Sequence, residues 1–203
     1  MRYAADHAAQ TRARLLDLAA DIIRARGVGA IGVAPLMRAA GLTHGGFYQH
    51  FASRDALLEA TINHMFARAR DGVVVGNGDP AHRLARFIKG YLSPAHAADP
   101  AGGCPLPSLA GEAARLPADA AERYRAGMAR ILARVTDLLV DAGCDAAPTS
   151  VLAELVGAVM LARLAESPET RDAVLAHSRA ALTARLGLSA TPAVARNGSP
   201  PRA

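Results

Sequence analysis

The chain has 203 residues, of which 51% are hydrophobic and 20% charged. The hydrophobic share is large enough to bury a core, which predicts a globular protein of one or two domains. No apolar run reaches the roughly 18 residues that a membrane span needs, and residues 1–12 lack the apolar core of a signal peptide. We therefore expect a cytoplasmic protein that does not span a membrane.

Charge and cysteine content narrow the class of protein further. The formal net charge of +5 suits an anionic partner such as nucleic acid, although the excess is small. Cys104 and Cys144 lie far apart without clustered histidines, which favours free thiols over a metal site. There is no GxSxG, HExxH, P-loop or CxxC pattern, so we expect no enzyme, cofactor or metal.

The first predicted helix starts at Thr11, a capping residue, and ends at Gly27. Its apolar residues recur at three- and four-residue steps and predict one buried face: Leu15, Leu18, Ala19, Ile22 and Ile23.

The second and third predicted helices are joined by a tight turn. The second begins near Val33 and ends at Gly41, since glycine readily adopts the left-handed conformation that terminates helices. The third is very short, with Thr43 placed to cap it and with Phe47 and Phe51 on one face as anchors. Two helices joined by a glycine turn predict a helix-turn-helix unit.

The other face of this third helix carries hydrogen-bonding groups and little bulk near its start. The residues concerned are His44, Gly45, Gly46, Tyr48, Gln49 and His50. Such a face allows the backbone to approach a nucleic-acid groove closely.

The run from Thr11 to about Leu58, with AAGLTHGGFYQHFASRDALL at its centre, resembles the DNA-binding domain of the tetracycline-repressor (TetR) family of bacterial regulators. The AG turn, the FY pair, the H-F pair and the SRDALL opening of the next helix share the family's spacing. The resemblance implies an all-α fold of about nine helices. An N-terminal three-helix helix-turn-helix DNA-binding domain (1–52) is expected before a C-terminal helical ligand-binding and dimerisation domain (53–188). One departure is Gly32, which stands where the family usually has a Thr or Ser cap.

The resemblance also implies a surface that contacts DNA, formed by Thr43, His44, Gly45, Gly46, Tyr48, Gln49, His50 and Arg54. Tyr48, His50 and Arg54 match positions that contact phosphates, and Thr43 and His44 match positions near base edges. Two alternatives stay open: Thr43 only caps the helix, and the two glycines only reflect a glycine-rich composition.

Proline and glycine separate the later predicted helices. Ser53 caps the fourth, whose apolar stripe lasts to a linker at 72–79, and the VVV run at 73–75 is interpreted as a helix end. The fifth runs from Pro80 to Ala98, and the sixth from Pro107 to Arg115. The seventh follows Pro117 and ends at Gly143.

The last two predicted helices favour self-association. The eighth begins at Pro148 and is apolar nearly all round, and the ninth follows Ser167 and Pro168 and reaches Leu186. A second apolar side must be buried somewhere, so we expect a homodimer through 148–165 and 168–186, which is how the family uses its last helices. Residues 189–203 are expected to be a disordered tail.

A ligand pocket is expected between the C-terminal helices, lined by Phe66, Phe87, Tyr91, Cys104, Leu109, Tyr124 and Met128. These residues would face inward whether or not a cavity exists. Cys104 stands before a predicted helix start, which lowers a thiol pKa, so it is either a sensing thiol or a packing residue.

The function that follows is a DNA-binding transcriptional regulator, a repressor released by a small-molecule effector, which binds a pseudo-palindromic operator as a homodimer. The alternative is a helical small-molecule-binding or scaffold protein without specific DNA binding. That alternative leaves the residues from Thr43 to Arg54 unexplained.

Overall fold

A computed structural model describes residues 2–72, 77–100 and 102–188. Over these ranges the chain forms nine α-helices, three 3-10 helices and no strand, which confirms the all-helical prediction. The α-helices are α1 (Arg2–Arg26), α2 (Val33–Ala39), α3 (Arg54–Gly72), α4 (Pro80–Tyr91), α5 (Pro94–Ala98), α6 (Pro105–Leu109), α7 (Ala118–Asp141), α8 (Pro148–Arg163) and α9 (Pro168–Arg185). The 3-10 helices are Val28–Ala30, His44–Gln49 and Ala113–Arg115. No helix in the described ranges is long and apolar enough to cross a membrane.

Several helix starts use the caps that the sequence predicts. The hydroxyl oxygen of Ser53 accepts a hydrogen bond from the Ala56 N–H at 3.0 Å, and that of Ser167 accepts from the Thr170 N–H at 3.1 Å. Asp79 caps α4 in the same way, ahead of a proline in the first turn. These side chains satisfy N–H groups that have no partner inside their own helix.

Three predicted boundaries were wrong. Helix α1 begins at Arg2, so Thr11 lies inside it, because no glycine or proline interrupts the chain before Gly27. The predicted fifth helix is two helices, since Ser93 caps a new start at Pro94. The predicted sixth helix starts earlier, at Pro105, and stops at Leu109 before a separate 3-10 turn.

Two other predictions lie outside the described residues. These are the helix end at 73–75 and the disordered tail at 189–203.

Helix α3 connects the N-terminal helices with the rest of the chain. Leu15 on α1, Leu36 on α2 and Phe47 on the His44–Gln49 helix are buried, as are Leu57 and Leu58 on α3. The same helix packs along α7, where Glu59 forms an ion pair with Arg123 at 2.8 Å.

The segment between α6 and α7 also contacts the N-terminal unit. The carboxylate of Glu112 accepts a hydrogen bond from the Val28 N–H at 2.9 Å. It lies directly over Gly27, where an added Cβ would come within 2.7 Å of Glu112 Oε1. The turn after α1 is therefore held by a residue of the C-terminal part of the chain.

Helices α8 and α9 pack against each other and leave an apolar stripe exposed. Leu155, Val159 and Leu175 are buried between them and the remaining helices. The exposed stripe of α8 contains Ala153, Met160, Leu161 and Leu164, of which Leu164 is 80% exposed.

Candidate functional site

Helix α2 ends in a turn that orients the following short helix. Gly41 has a φ of +70°, a conformation that glycine adopts without strain. The Gly41 N–H donates to Arg38 O at 3.0 Å, and the Leu42 N–H donates to Met37 O at 2.8 Å. This pair of bonds is the Schellman arrangement, which closes a helix and reverses the chain direction.

The helix that follows the turn, His44–Gln49, is a 3-10 helix whose inner face is anchored in the core. Phe47 and Phe51 are buried, with ring centroids 5.6 Å apart. The guanidinium carbon of Arg12 lies 4.9 Å from the Phe51 ring centroid, a cation–π contact that ties this helix to α1.

Thr43 stands at the start of this helix, but its side chain makes no capping hydrogen bond, so the predicted cap was wrong. The tight 3-10 turn is closed by the backbone instead, since the Gly46 N–H donates to Thr43 O at 3.1 Å.

Most residues of the predicted DNA-contacting set lie together at the surface. Tyr48 is 65% exposed, and its ring packs edge-on against Phe47 and His44. The other exposed members are Thr43, His44, Gly45, Gln49 and Arg54, while Gly46 and His50 are half-buried. An added Cβ on Gly45 would meet no atom within 4 Å, so the fold does not require glycine there.

Arg54 has a structural task that the sequence does not reveal. Its Nε donates to Ile31 O at 2.9 Å and its Nη2 donates to Val28 O at 3.1 Å, which fixes the turn between α1 and α2. The side chain is still 41% exposed. A guanidinium has five N–H groups, so Arg54 retains donors for an anion outside the protein.

The surface formed by these residues carries imidazole, phenol, amide and guanidinium groups. They surround the N-terminal end of the His44–Gln49 helix, where there is almost no side-chain bulk. Such groups donate to phosphate oxygens and to the acceptors on base edges.

A separate cavity of about 160 Å³ lies between α3, α4 and α7. Four of the seven predicted pocket residues line it: Phe66, Phe87, Tyr91 and Cys104. The remaining lining residues, Ala69, Gly127, Arg130, Ile131 and Arg134, were missed. Gly127 is required here, because an added Cβ would come within 2.4 Å of the Phe66 ring.

The other three predicted pocket residues do not line this cavity. Leu109 is buried elsewhere in the core, and Met128 is 41% exposed on the outer side of α7. Tyr124 packs edge-on behind Phe66, with ring centroids 5.7 Å apart, and its hydroxyl donates to Leu106 O at 3.4 Å. Burial raises the pKa of Tyr124 to about 12.

His96 joins two residues of the cavity wall. Its Nε2 accepts from the Cys104 N–H at 2.9 Å, so the proton of the neutral ring is on Nδ1, which donates to Tyr91 O at 2.7 Å. Burial lowers the pKa of His96 and keeps the ring neutral.

Cys104 stands directly before α6, because that helix starts two residues earlier than predicted. Burial raises the pKa of the Cys104 thiol and outweighs the opposing influence of Tyr91, the α6 backbone and Arg163. The backbone at the start of α6 does lower the thiol pKa, as expected, but desolvation of the thiolate raises it by more. Within the described ranges no cluster of His, Cys, Asp or Glu residues has the arrangement of a metal site.

These features define a class: an all-helical protein with an exposed helix-turn-helix unit and a partly open cavity between helices of its C-terminal part. Residues 15–61 match the family model of bacterial regulatory proteins, tetR family. The matched residues are those of the helix-turn-helix unit, and the chain as a whole has the fold of solved TetR regulators.

The curated relatives it matches include the HTH-type transcriptional repressor KstR2 of Mycobacterium tuberculosis, which is 39% identical over 77 residues. That match covers 36% of this chain and 38% of the repressor, so it spans less than half the length of this relative.

Solved structures resemble nearly the whole chain. A TetR transcriptional regulator from Chloroflexus aurantiacus J-10-FL has a TM-score of 0.73 and 25% identity, covering 90% of this chain and 97% of its own. The reduced form of E. coli NemR has a TM-score of 0.71 and 23% identity, with 91% and 100% covered. AibR, in complex with isovaleryl coenzyme A and operator DNA, has a TM-score of 0.65 and 19% identity, with 84% and 97% covered.

Proposed function

We propose that this protein is a DNA-binding transcriptional regulator, a repressor that a small-molecule effector releases from its operator. The observation that carries the proposal is the exposed His44–Gln49 helix, held by buried Phe47 and Phe51 after the turn at Gly41. A regulator of this kind acts in the cytoplasm, where the DNA is. In this proposal residues 1–52 bind DNA, and residues 53–188 bind the effector and form the dimer.

The proposed contacts with DNA follow from exposure and chemistry. His44 and Gln49 contact base edges in the major groove, and Tyr48, His50 and Arg54 contact phosphates. Thr43, Gly45 and Gly46 allow the start of the helix to approach the groove closely. Arg54 has two tasks in this proposal, since it also anchors the carbonyl groups of the α1–α2 turn.

The proposed functional unit is a homodimer formed by α8 and α9. The exposed stripe through Met160, Leu161 and Leu164 is continuous with Gly157, where an added Cβ would meet no atom within 4 Å. An apolar stripe of this kind favours a two-fold helical interface, which would carry two reading helices to adjacent turns of one DNA groove.

The cavity between α3, α4 and α7 is the proposed effector site. Helix α3 lines it with Phe66 and Ala69, and its other end packs within the N-terminal unit. AibR, which has the same fold, binds both an acyl-coenzyme A and DNA, which supports a two-site arrangement here. An effector acts only as far as it binds the DNA-bound and released states differently.

Selection of DNA fragments from a random library with the purified protein tests this proposal. We expect enrichment of an inverted repeat whose half-sites lie about one helical turn apart. Recovery of fragments without any shared motif, at a salt concentration that suppresses non-specific binding, would favour the scaffold alternative.

A further inference from the structure

The surface proposed to contact DNA has little permanent positive charge of its own. Within the set from Thr43 to Arg54, the one arginine or lysine is Arg54. Its guanidinium already donates to two carbonyl groups, and its Nη1 lies 3.9 Å from Asp55 Oδ1. Affinity for duplex DNA depends on cations that neutralise phosphates. Neighbouring elements must therefore supply further cations to this surface.

Arg12 on α1 lies beside the His44–Gln49 helix. Its guanidinium carbon is 4.9 Å from the Phe51 ring centroid. The His50 ring contacts the same Phe51 ring, with centroids 6.5 Å apart. Phe51 is buried, so its ring fixes the position of the Arg12 guanidinium relative to His50.

No carboxylate neutralises Arg12. The residue is exposed, and it forms no ion pair or hydrogen bond with any residue that the structure describes. A cation–π contact engages the charge of a guanidinium but leaves its N–H donors unpaired. These donors are therefore available to an anion from outside the protein.

An open groove of about 400 Å³ lies between Arg12 and the first turns of α3. Its polar lining consists of Arg12, His50, Glu59, Asn63 and Arg123. Glu59 and Arg123 form an ion pair with each other at 2.8 Å, so Arg12 is the arginine of this groove without a carboxylate partner. The groove also contains His50, which directly follows the His44–Gln49 helix, so it adjoins the proposed DNA surface.

We propose that Arg12 contacts a DNA phosphate and so extends the DNA surface from the His44–Gln49 helix onto α1. Phe51 positions the guanidinium and also anchors that helix, so the phosphate contact has a fixed place relative to the base contacts. The inference rests on the proposed function for the identity of the anion, the DNA backbone.

DNA titrations with the full-length protein at several salt concentrations test this contact. The probes are the duplex selected from the random library and a duplex of the same length with a scrambled sequence. Arg12→Gln should reduce the slope of log K against log salt by about 0.9 for each bound protomer. At about 0.15 M salt this corresponds to a loss of about 5-fold in affinity for each protomer, on both duplexes.

Arg14→Gln is the matched control. It removes the same charge from α1, but a side chain two residues further along a helix points to the opposite side. The control should therefore keep the wild-type salt slope. An unchanged slope for Arg12→Gln, or an equal reduction for Arg14→Gln, would overturn the proposal.

A purely structural role for Arg12 predicts a different result. Loss of the contact with Phe51 would then displace the His44–Gln49 helix, so a repeated DNA selection would change its base preference while the salt slope stayed the same. We expect the opposite, an unchanged base preference and a reduced slope. Arg12→Lys retains a cation that binds phosphate, so it should keep the wild-type slope, and a reduced slope for this variant would also contradict the proposal.

The two proposals fail in different ways. A wild-type protein that prefers the selected duplex, with a slope that Arg12→Gln does not change, would overturn only the Arg12 contact. Equal binding of both duplexes by the wild type, with a reduced slope for Arg12→Gln, would overturn only the regulator function. The absence of any DNA binding would overturn both.

Discussion

The fold does not require glycine at position 45, whereas we expect DNA binding to require it. A Cβ at this position would meet no protein atom within 4 Å, so Gly45→Ala should leave the free energy of unfolding unchanged or raise it by up to about 1 kcal/mol. In the complex the methyl group would stand between the helix start and the groove. We expect operator affinity to fall about tenfold, equivalent to roughly 1.4 kcal/mol, as measured by fluorescence anisotropy.

Gly90→Ala is the matched control for this prediction. Gly90 lies in α4, away from the proposed DNA surface, and an added Cβ there also meets no atom within 4 Å. Equal operator affinity for the Gly45 variant and the control would mean that Gly45 does not approach DNA.

His96 should make the stability of the protein depend on pH. Burial lowers the pKa of His96 in the folded state below the ordinary value of about 6.5, so the unfolded chain takes up its proton first. The stabilising contribution is therefore complete above about pH 6.5 and is lost as the pH falls through the lowered pKa. We expect urea unfolding to show a shallower loss between pH 6.5 and 5 for His96→Gln than for the wild type.

The exposed His7 provides the control, since His7→Gln should follow the wild-type pH dependence. A His96 variant with the same pH dependence as the wild type would show that proton uptake by His96 does not affect stability.

At the scale of single residues, the sequence predicted the exposed face of the short helix better than it predicted the cavity. The pattern around Phe47 and Phe51 separates inside from outside by local spacing alone. The cavity depends on packing between distant segments, so a glycine such as Gly127 and an arginine such as Arg130 carry no local signal. Met128 lies next to the buried stripe of α7 and was assigned to the wrong side of the helix.

The turn between α1 and α2 is held at both ends by residues distant in sequence. Glu112 accepts the Val28 N–H, and Arg54 donates to Val28 O and Ile31 O. Glu112 belongs to the segment that follows α6 and therefore connects the C-terminal helices to the N-terminal unit.

Glu112→Ala should loosen this turn locally. It leaves the Val28 N–H without its charged acceptor, so we expect the free energy of unfolding to fall by about 1–2 kcal/mol. The Val28 amide should also exchange its hydrogen faster. Denaturant unfolding and amide exchange followed by NMR measure the two effects.

Glu122→Ala controls for the loss of a surface charge. Glu122 pairs with Arg125 on an exposed face of α7, so its removal should cost no more than about 0.5 kcal/mol and leave Val28 exchange unchanged. Similar results for both variants would show that the Glu112 contact does not stabilise the turn.

At the scale of helices, the sequence predicted starts and ends where a single residue decides them. Ser53, Asp79 and Ser167 each cap a helix, and Gly143 and Gly187 follow helix ends with positive φ. Thr11 misled the prediction because a potential cap acts only where the preceding chain leaves the helix. The break after Tyr91 depends on Ser93 and Pro94, which start a new helix. The prediction followed the apolar pattern and continued a single helix through this point.

For the whole molecule, the exposed stripe on α8 predicts a dimer of twice the 21.0 kDa chain mass. Gly157→Glu should give monomers in light scattering at micromolar concentration, because it would bury an unpaired charge against its symmetry mate. The protomer should fold normally, since the added side chain meets no atom of its own chain near Cβ. Operator affinity should fall together with dimerisation.

Ala158 shows which face of α8 must be altered. It is 4% exposed and faces the interior of its own protomer, so a charge there would unfold the chain rather than separate two chains. A wild-type protein that stays monomeric, or a Gly157 variant that stays dimeric, would contradict the proposed interface.

The most direct test of the account is to repeat the DNA selection with His44→Ala. If the His44–Gln49 helix reads base pairs, the variant should fold normally, since His44 is exposed and its ring packs edge-on against the exposed Tyr48, with centroids 6.3 Å apart. Its selected sequences should lose preference at one base pair in each half-site, placed symmetrically about the centre. Selection of the wild-type sequence with undiminished preference at every position would contradict the central claim that this helix reads DNA.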